Sequence, residues 1–164
     1  MLRVVGIGLA VLALSACGSG GGSGGNRDAT TTVAKAGVTA CDILKAEDVE
    51  RVLGRPVKKL DATGGAGALD ICQYGYQGEK LLDMGQASVT LHGNSLAEMK
   101  TGVEREGYDT EEIADLGDRA FWSMQSGLYV EKGGRTALYL VGANGMKDSK
   151  APSIALARAT VDRM

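Results

Sequence analysis

The chain has 164 residues, of which 18 are Lys or Arg and 20 are Asp or Glu, so its formal net charge is -2. This charge does not favour nucleic-acid binding, and an aromatic content of 4% argues against an aromatic sugar-binding surface. Once the segments at the start of the chain are set aside, about 125 residues remain, which is a common size for a single domain with a buried core.

The first sixteen residues have the layout of a secretory signal. Arg3 supplies a positive charge, and an uncharged run rich in Val, Leu, Ile, Ala and Gly extends from Val4 to Ala16. A membrane-spanning helix needs about 20 apolar residues, and this run is shorter. We therefore interpret residues 1–16 as a signal peptide and not as a permanent membrane span.

The signal ends in Leu14-Ser15-Ala16-Cys17, which resembles the lipobox of bacterial lipoproteins. The resemblance implies that a diacylglycerol is attached to the sulfur of Cys17, that a peptidase cuts just before it, and that the new N-terminus is often acylated again, for example with palmitate. Two or three acyl chains hold a protein firmly at a bilayer, whereas one chain binds only marginally. An ordinary signal peptide followed by an incidental cysteine is the alternative.

The residue after Cys17 bears on localisation. In Gram-negative lipoproteins an Asp at this position usually signals retention in the inner membrane, but this chain has Gly18. The resemblance therefore implies an exported protein in the outer membrane of a cell that has one, or on the outer face of the cell membrane otherwise.

A tether follows the lipidation site. Residues 18–25 read GSGGGSGG, the composition of a flexible linker. A phosphate-binding loop would follow a strand and begin a Lys-bearing helix, whereas this run follows a signal peptide. Residues 29–39 are rich in Thr and Ala without a clear period, so we assign residues 17–39 to the tether and 40–164 to one domain. About 20 flexible residues reach roughly 25 Å.

Two further cysteines, Cys41 and Cys72, remain once Cys17 is assigned. In an exported chain such a pair predicts a disulfide, and closing a loop of about 30 residues stabilises the fold by roughly 3 to 4 kcal/mol. A metal site or a reactive thiol is the alternative. Two distant cysteines with a single His in the chain make a poor zinc site, so we expect no metal and no cofactor.

The first half of the domain predicts two helices that flank a set of strands. Ile43, Val49, Val52 and Leu53 share one helical face, and Gly54 ends this helix. We further predict a strand within 55–60, a glycine-rich loop at 61–68, strands at 69–77 and 87–91 with a loop at 78–85 between them, and a helix from Leu96 to about Glu106 capped by Asn94 or Ser95.

The second half predicts strands at 119–124, 128–132 and 136–141, after a turn at Gly117-Asp118. Gly133-Gly134 indicates a hairpin between the last two strands, and Asn144-Gly145 another turn. A final helix begins at Ser149 or Ser153 and runs to about Arg163. Short turns imply antiparallel pairing, so the predicted fold class is α+β, an antiparallel sheet with helices packed on one face. The order is compatible with two similar helix-plus-strands halves.

Short motifs in the domain are similar to those of small bacterial lipoproteins of uncharacterised function, many of them actinobacterial envelope proteins. The motifs are Cys41-Asp42-Ile43-Leu44, Glu47-Asp48-Val49, Leu53-Gly54, Cys72-Gln73-Tyr74 and Leu116-Gly117-Asp118-Arg119-Ala120-Phe121. The resemblance implies an envelope-facing α+β domain with a disulfide, and it brings no catalytic residues. Lys45 stands where such proteins often have a Ser or Thr that caps the helix.

A search for catalytic groups in the sequence yields none. His92 is the single histidine, and no Gly-x-Ser-x-Gly motif occurs. Glu111, Glu112, Asp115 and Asp118 could bind a divalent cation, but they lack the spacing of a calcium loop. We interpret them as a solvated acidic edge.

Three aromatic residues are the weak candidates for ligand binding. Tyr74 and Tyr76 share a strand face with Cys72, whereas Trp122 lies opposite Phe121 and Ser123. If helices leave these side chains uncovered, Tyr74, Tyr76 and Trp122 could form a binding surface. The alternative is core packing, which the shared face with Cys72 favours.

The expected function is therefore a non-catalytic binding or structural module, anchored to a membrane through lipid. An envelope protein or a small apolar ligand is the expected partner, and nucleic acid is not. One alternative is an assembly factor or inhibitor that docks on an envelope protein through a sheet edge. A second is a hydrolase of envelope material, for which the sequence offers no nucleophile–base pair.

Overall fold

The computed structural model describes residues 37–62, 67–79 and 82–164. The signal peptide, the lipidation site Cys17 and the tether up to residue 36 lie outside the described residues and remain predictions. Within the described part, no helix is long and apolar enough to cross a membrane.

One antiparallel sheet of seven strands organises the described residues. The strands are β1 Lys58–Leu60, β2 Ala68–Gln77, β3 Met84–His92, β4 Glu111–Glu112, β5 Arg119–Ser123, β6 Gly127–Lys132 and β7 Arg135–Ala143. Their spatial order is β1-β2-β3-β7-β6-β5-β4, so the pairing of β3 with β7 joins the first three strands to the last four.

The predicted α+β class and the antiparallel sheet are confirmed. The helices are α1 Ala40–Ile43, α2 Ala46–Leu53, α3 Leu96–Arg105 and α4 Lys150–Thr160, which continues into a 3-10 turn at Val161–Arg163. The predicted end of the first helix is confirmed, because Gly54 adopts a left-handed φ of 70° directly after α2. The prediction of one helical face shared by Ile43, Val49, Val52 and Leu53 is wrong, because the extended residues Leu44 and Lys45 separate α1 from α2. Lys45 gives α2 no side-chain cap, and the Asp48 carboxylate accepts the Lys45 backbone N–H instead.

The first face of the sheet is defined by an apolar row that crosses five strands. Cys72 pairs with Val89, Val89 with Tyr139, Tyr139 with Leu128, and Leu128 with Trp122. All five side chains belong to the main core, together with buried residues of α1, α2 and α4. Burial of this row between sheet and helices is the main apolar contribution to the fold.

The second face carries the neighbouring row, in which Leu138 pairs with Tyr129 and Tyr129 with Phe121. These residues form a separate cluster with Leu96 and Val103 of α3. Helix α3 therefore departs from the predicted arrangement of helices on one face. The reason is that Phe121 and Trp122 are adjacent in β5 and project to opposite sides, and both are apolar, so each side needs a cover.

Helix α3 covers only part of the second face. It contacts β5 and β6, whereas none of α1, α2 and α4 lies on this side. Beyond α3, this face is exposed at Leu60 of β1, Met84 of β3 and Leu140 of β7, which are 37%, 46% and 42% exposed, whereas Ser88 and Thr90 in the middle of β3 are buried.

The end of the chain is fastened to α2 on the first face. Arg163 donates hydrogen bonds to the Asp48 carboxylate and, at 2.9 Å, to the Ile43 carbonyl oxygen. The Tyr139 hydroxyl accepts a hydrogen bond from Thr160 at 3.2 Å, and burial raises the pKa of Tyr139 to about 12. The C-terminal turn thus closes the core between α2 and α4.

Replacing Ser95 by Ala should lower the free energy of unfolding by about 1 kcal/mol, as is usual for a lost N-cap. The Ser95 hydroxyl accepts the Glu98 N–H at 3.3 Å, and the Glu98 carboxylate accepts the Ser95 N–H at 2.8 Å. Urea unfolding measures the change. Ser149→Ala is the matched control, because Ser149 precedes α4 without a side-chain cap bond, and equal effects of the two substitutions would contradict the capping role.

Candidate functional site

The two cysteines of the domain form the predicted disulfide, which is thereby confirmed. Cys41 in α1 and Cys72 in β2 are bonded, with their Cα atoms 5.0 Å apart. Cys72 is buried, and it lies beneath α1 on the first face. The bond therefore ties the first helix to the sheet and removes both thiols from metal binding or reactivity.

The aromatic candidates do not come together. Trp122 is 9% exposed within the main core, and Tyr74 packs against the same core. Tyr76 lies further along β2, where the guanidinium of Arg55 sits 4.9 Å from the centre of its ring. Tyr74 and Trp122 thus pack in or against the core and do not form a binding surface. Of the three candidates, only Tyr76 lines the surface groove described below.

His92 lies at the end of β3, 6.4 Å from the Tyr129 ring centre to centre. Its Nε2 atom is buried without a hydrogen-bond partner among the described residues. Burial lowers the pKa of His92, against the opposing effect of a hydrogen bond with the Gly67 backbone. The lowered pKa favours the neutral form of the imidazole.

Three of the four residues of the predicted acidic edge, all except Asp115, contact lysines. Lys150 contacts Glu111 at 2.5 Å, Lys100 contacts Glu112 at 3.2 Å, and Lys132 contacts Asp118 at 3.6 Å. Asp118 also accepts the Gly133 N–H at 2.7 Å and so fixes the hairpin. Among the residues that the structure describes, no group of three His, Cys, Asp or Glu is placed to hold a metal ion.

The second face contains a groove of about 760 Å³. We call it the groove. It crosses the ends of four strands and is lined by Lys58 and Leu60 of β1, Gly75 of β2, Met84 and Gln86 of β3, and Gly142 of β7. The register places Lys58, Gly75, Gln86 and Gly142 in one row across these strands.

Glycines form the floor of the groove. A Cβ atom at Gly75 would lie 2.9 Å from a terminal carbon of Leu60, so the Leu60 side chain extends over this position. A Cβ atom at Gly142 would have no neighbour within 4 Å. The space above Gly142 is therefore empty. Leu60 and Met84 form the apolar sides of the groove, and Met84 is 46% exposed.

Polar contacts hold the rim of the groove in place. Arg55 forms an ion pair with Asp83 at 2.6 Å and lies over the Tyr76 ring, so the segment before β1 is joined to the segment before β3. The Asn144 side chain donates a hydrogen bond to the Leu82 carbonyl, and the Asn144 backbone donates one to Met84 at 2.8 Å. The groove is thus a preformed site on a scaffold of paired strands.

Sequence reasoning missed this site. Gly75 and Gly142 lie inside strands, where glycine is unfavourable and often marks the close approach of another group. The sequence therefore contained an indication of the site in these two glycines. However, Gly75 and Gly142 are brought to the same face of the sheet only by the pairing of β2, β3 and β7.

Comparison with known proteins gives no assignment. No protein-family profile matches the chain, and no curated protein or solved structure shows significant similarity to it.

Proposed function

We propose that the chain is an exported lipoprotein, held at a membrane through lipidated Cys17, and that its domain is a non-catalytic binding module. The groove is the observation that carries the binding role, because it combines an apolar lining with a volume typical of small-molecule sites. The lipobox supports the anchor, and the disulfide is consistent with an oxidising compartment outside the cytoplasm.

The chemistry of the groove favours binding over catalysis. Lys58 is the only charged side chain among the described residues that line it, and no nucleophile lies beside a base there. His92 is six residues from Gln86 along β3, a distance of about 20 Å for an extended strand. A hydrolase would need a second ionisable group near Lys58.

The alternative of an assembly factor that docks by a sheet edge has less support. β1 forms one edge, but it is only three residues long, and β4 at the other edge has two. Short edge strands offer few backbone hydrogen bonds to an added strand.

Replacing Cys17 by Ala should abolish metabolic labelling with a palmitate analogue and release the protein from the membrane fraction, since the lipid is the proposed attachment. In-gel detection of the label and cell fractionation measure the two effects. The control is the Cys41→Ala/Cys72→Ala double variant, which keeps Cys17 and should remain labelled. Labelling of the Cys17→Ala protein at the wild-type level would overturn the lipoprotein assignment.

A further inference from the structure

We propose that the groove binds the hydrocarbon chain of a long-chain carboxylic acid, with the carboxylate paired to the Lys58 ammonium group. This inference rests on the proposed function of the groove as a binding site, and it names the class of ligand. Three properties of the groove support it, namely its dimensions, its direction across the strands and its charge.

The cross-section of the groove admits an extended hydrocarbon chain, and its length covers the part of that chain next to the carboxylate. The groove crosses four strands, and three spacings of about 4.8 Å give a length of about 14 Å. A volume of about 760 Å³ over this length corresponds to a mean cross-section of roughly 50 Å². A helix is 10 to 12 Å in diameter, so a helix from a partner protein is too thick to enter.

The direction of the groove disfavours an extended peptide. The row from Lys58 to Gly142 runs across the strands, and the backbone groups of β2, β3 and β7 are already paired with one another. A peptide lying in the groove could not add to the sheet, so its own N–H and C=O groups would lack partners on the floor. A hydrocarbon chain has no such groups.

The charge complements a single carboxylate. Lys58 has no acidic partner among the described residues, whereas the nearby Arg55 is paired with Asp83. Gln86, which lies between Gly75 and Gly142, is held by a hydrogen bond from Gln73 at 2.8 Å and is neutral. One unpaired cation beside Leu60 and Met84 matches an amphiphile with one negative group.

The test uses the full-length protein purified from its membrane and reconstituted in phosphatidylcholine vesicles. The probe is a palmitic acid that carries a diazirine and an alkyne, and the corresponding alcohol is the neutral probe. After illumination, mass spectrometry locates the crosslinked residues. We expect crosslinks to the acid probe within residues 82–86 and 142–144, which saturate and are displaced by unlabelled palmitate.

Gly142→Trp fills the open floor of the groove and should reduce the crosslink at least ten-fold. Gly102→Trp is the matched control, because Gly102 on α3 also has open space around its Cβ position, and it should change the signal less than two-fold. Lys58→Gln should weaken capture of the acid about five-fold and leave capture of the alcohol unchanged. Gly142→Val, with a side chain favoured in strands, replaces Gly142→Trp if circular dichroism shows that the latter is unfolded.

Three results would overturn the inference: no saturable crosslink in the wild type, an undiminished crosslink in a folded Gly142 variant, or equal effects of Lys58→Gln on both probes. Capture of a protein at the groove residues instead of the probe would overturn it too. The intact mass of the same preparation reports the lipid on Cys17. If the protein is lipidated but does not bind the acid, only the proposed ligand is contradicted. If it binds the acid but is not lipidated, only the proposed lipid anchor is contradicted.

Discussion

Replacing Cys41 and Cys72 together by Ala is expected to lower the free energy of unfolding by roughly 3 to 4 kcal/mol. The bond closes a loop with a sequence separation of 31, and its loss gives the unfolded chain more conformations. It also frees α1, a helix of only four residues that could not persist without its attachment to the sheet. For a domain of this size the melting temperature should fall by roughly 10 to 15 °C.

Thermal and urea unfolding with and without reductant measure the effect. Wild type in dithiothreitol should unfold like the double variant in buffer, and the variant itself should not respond to reductant. A wild type whose stability is unchanged by complete reduction, verified by alkylation of both thiols, would contradict a stabilising role of the bond.

The second large effect is expected for Asp48→Ala, which should lower the free energy of unfolding by about 2 to 3 kcal/mol. The Asp48 side chain is buried and accepts hydrogen bonds from Lys45, Arg51 and Arg163. Breaking a buried ion pair typically costs 3 to 5 kcal/mol. We expect less here because the Arg163 side chain is 38% exposed and water can take the place of the lost carboxylate.

The pH dependence of stability tests the same ion pair. Burial alone raises the pKa of Asp48, but the hydrogen bonds and charge of Arg163 outweigh it, and the pKa lies below its ordinary value. A group whose pKa is depressed by folding stabilises the protein above its unfolded pKa. This stabilisation is therefore present above about pH 4 and is lost as the pH falls through the folded value.

Asp48→Asn is the matched variant, because it keeps the size of the side chain and removes the charge. Urea unfolding between pH 2 and pH 6 should show a weaker acid-induced loss of stability in Asp48→Asn than in wild type. Parallel curves for the two proteins would mean that other carboxylates govern the acid response.

The disulfide also bears on the proposed binding site. Cys72 and Gly75 are three residues apart on β2 and face opposite sides of the sheet. The disulfide on the first face therefore stabilises a strand that also forms the floor of the groove on the second face. The apolar core and the groove therefore share strands, and the core keeps the groove preformed.

Much of the local structure was predictable because its causes are local. Gly54 ends α2, Ser95 begins α3, and Gly133-Gly134 makes the hairpin between β6 and β7, all as the sequence indicates. The disulfide could be predicted from the number of cysteines and from the predicted export signal. Each of these features depends on neighbouring residues or on simple pairing, so no knowledge of long-range contacts was needed.

The sequence by itself determined most helices and strands, their antiparallel pairing and the covalent link between Cys41 and Cys72, but not the short strand β4 or the division between α1 and α2. Only the tertiary structure decided that α3 covers the second face, and that this cover stops short of β1, β2 and β3. Alternation along a strand shows which residues share a face, but it does not show which face a distant helix will cover. The groove depends on that choice, because Lys58, Gly75 and Gly142 become neighbours only through the register of four strands.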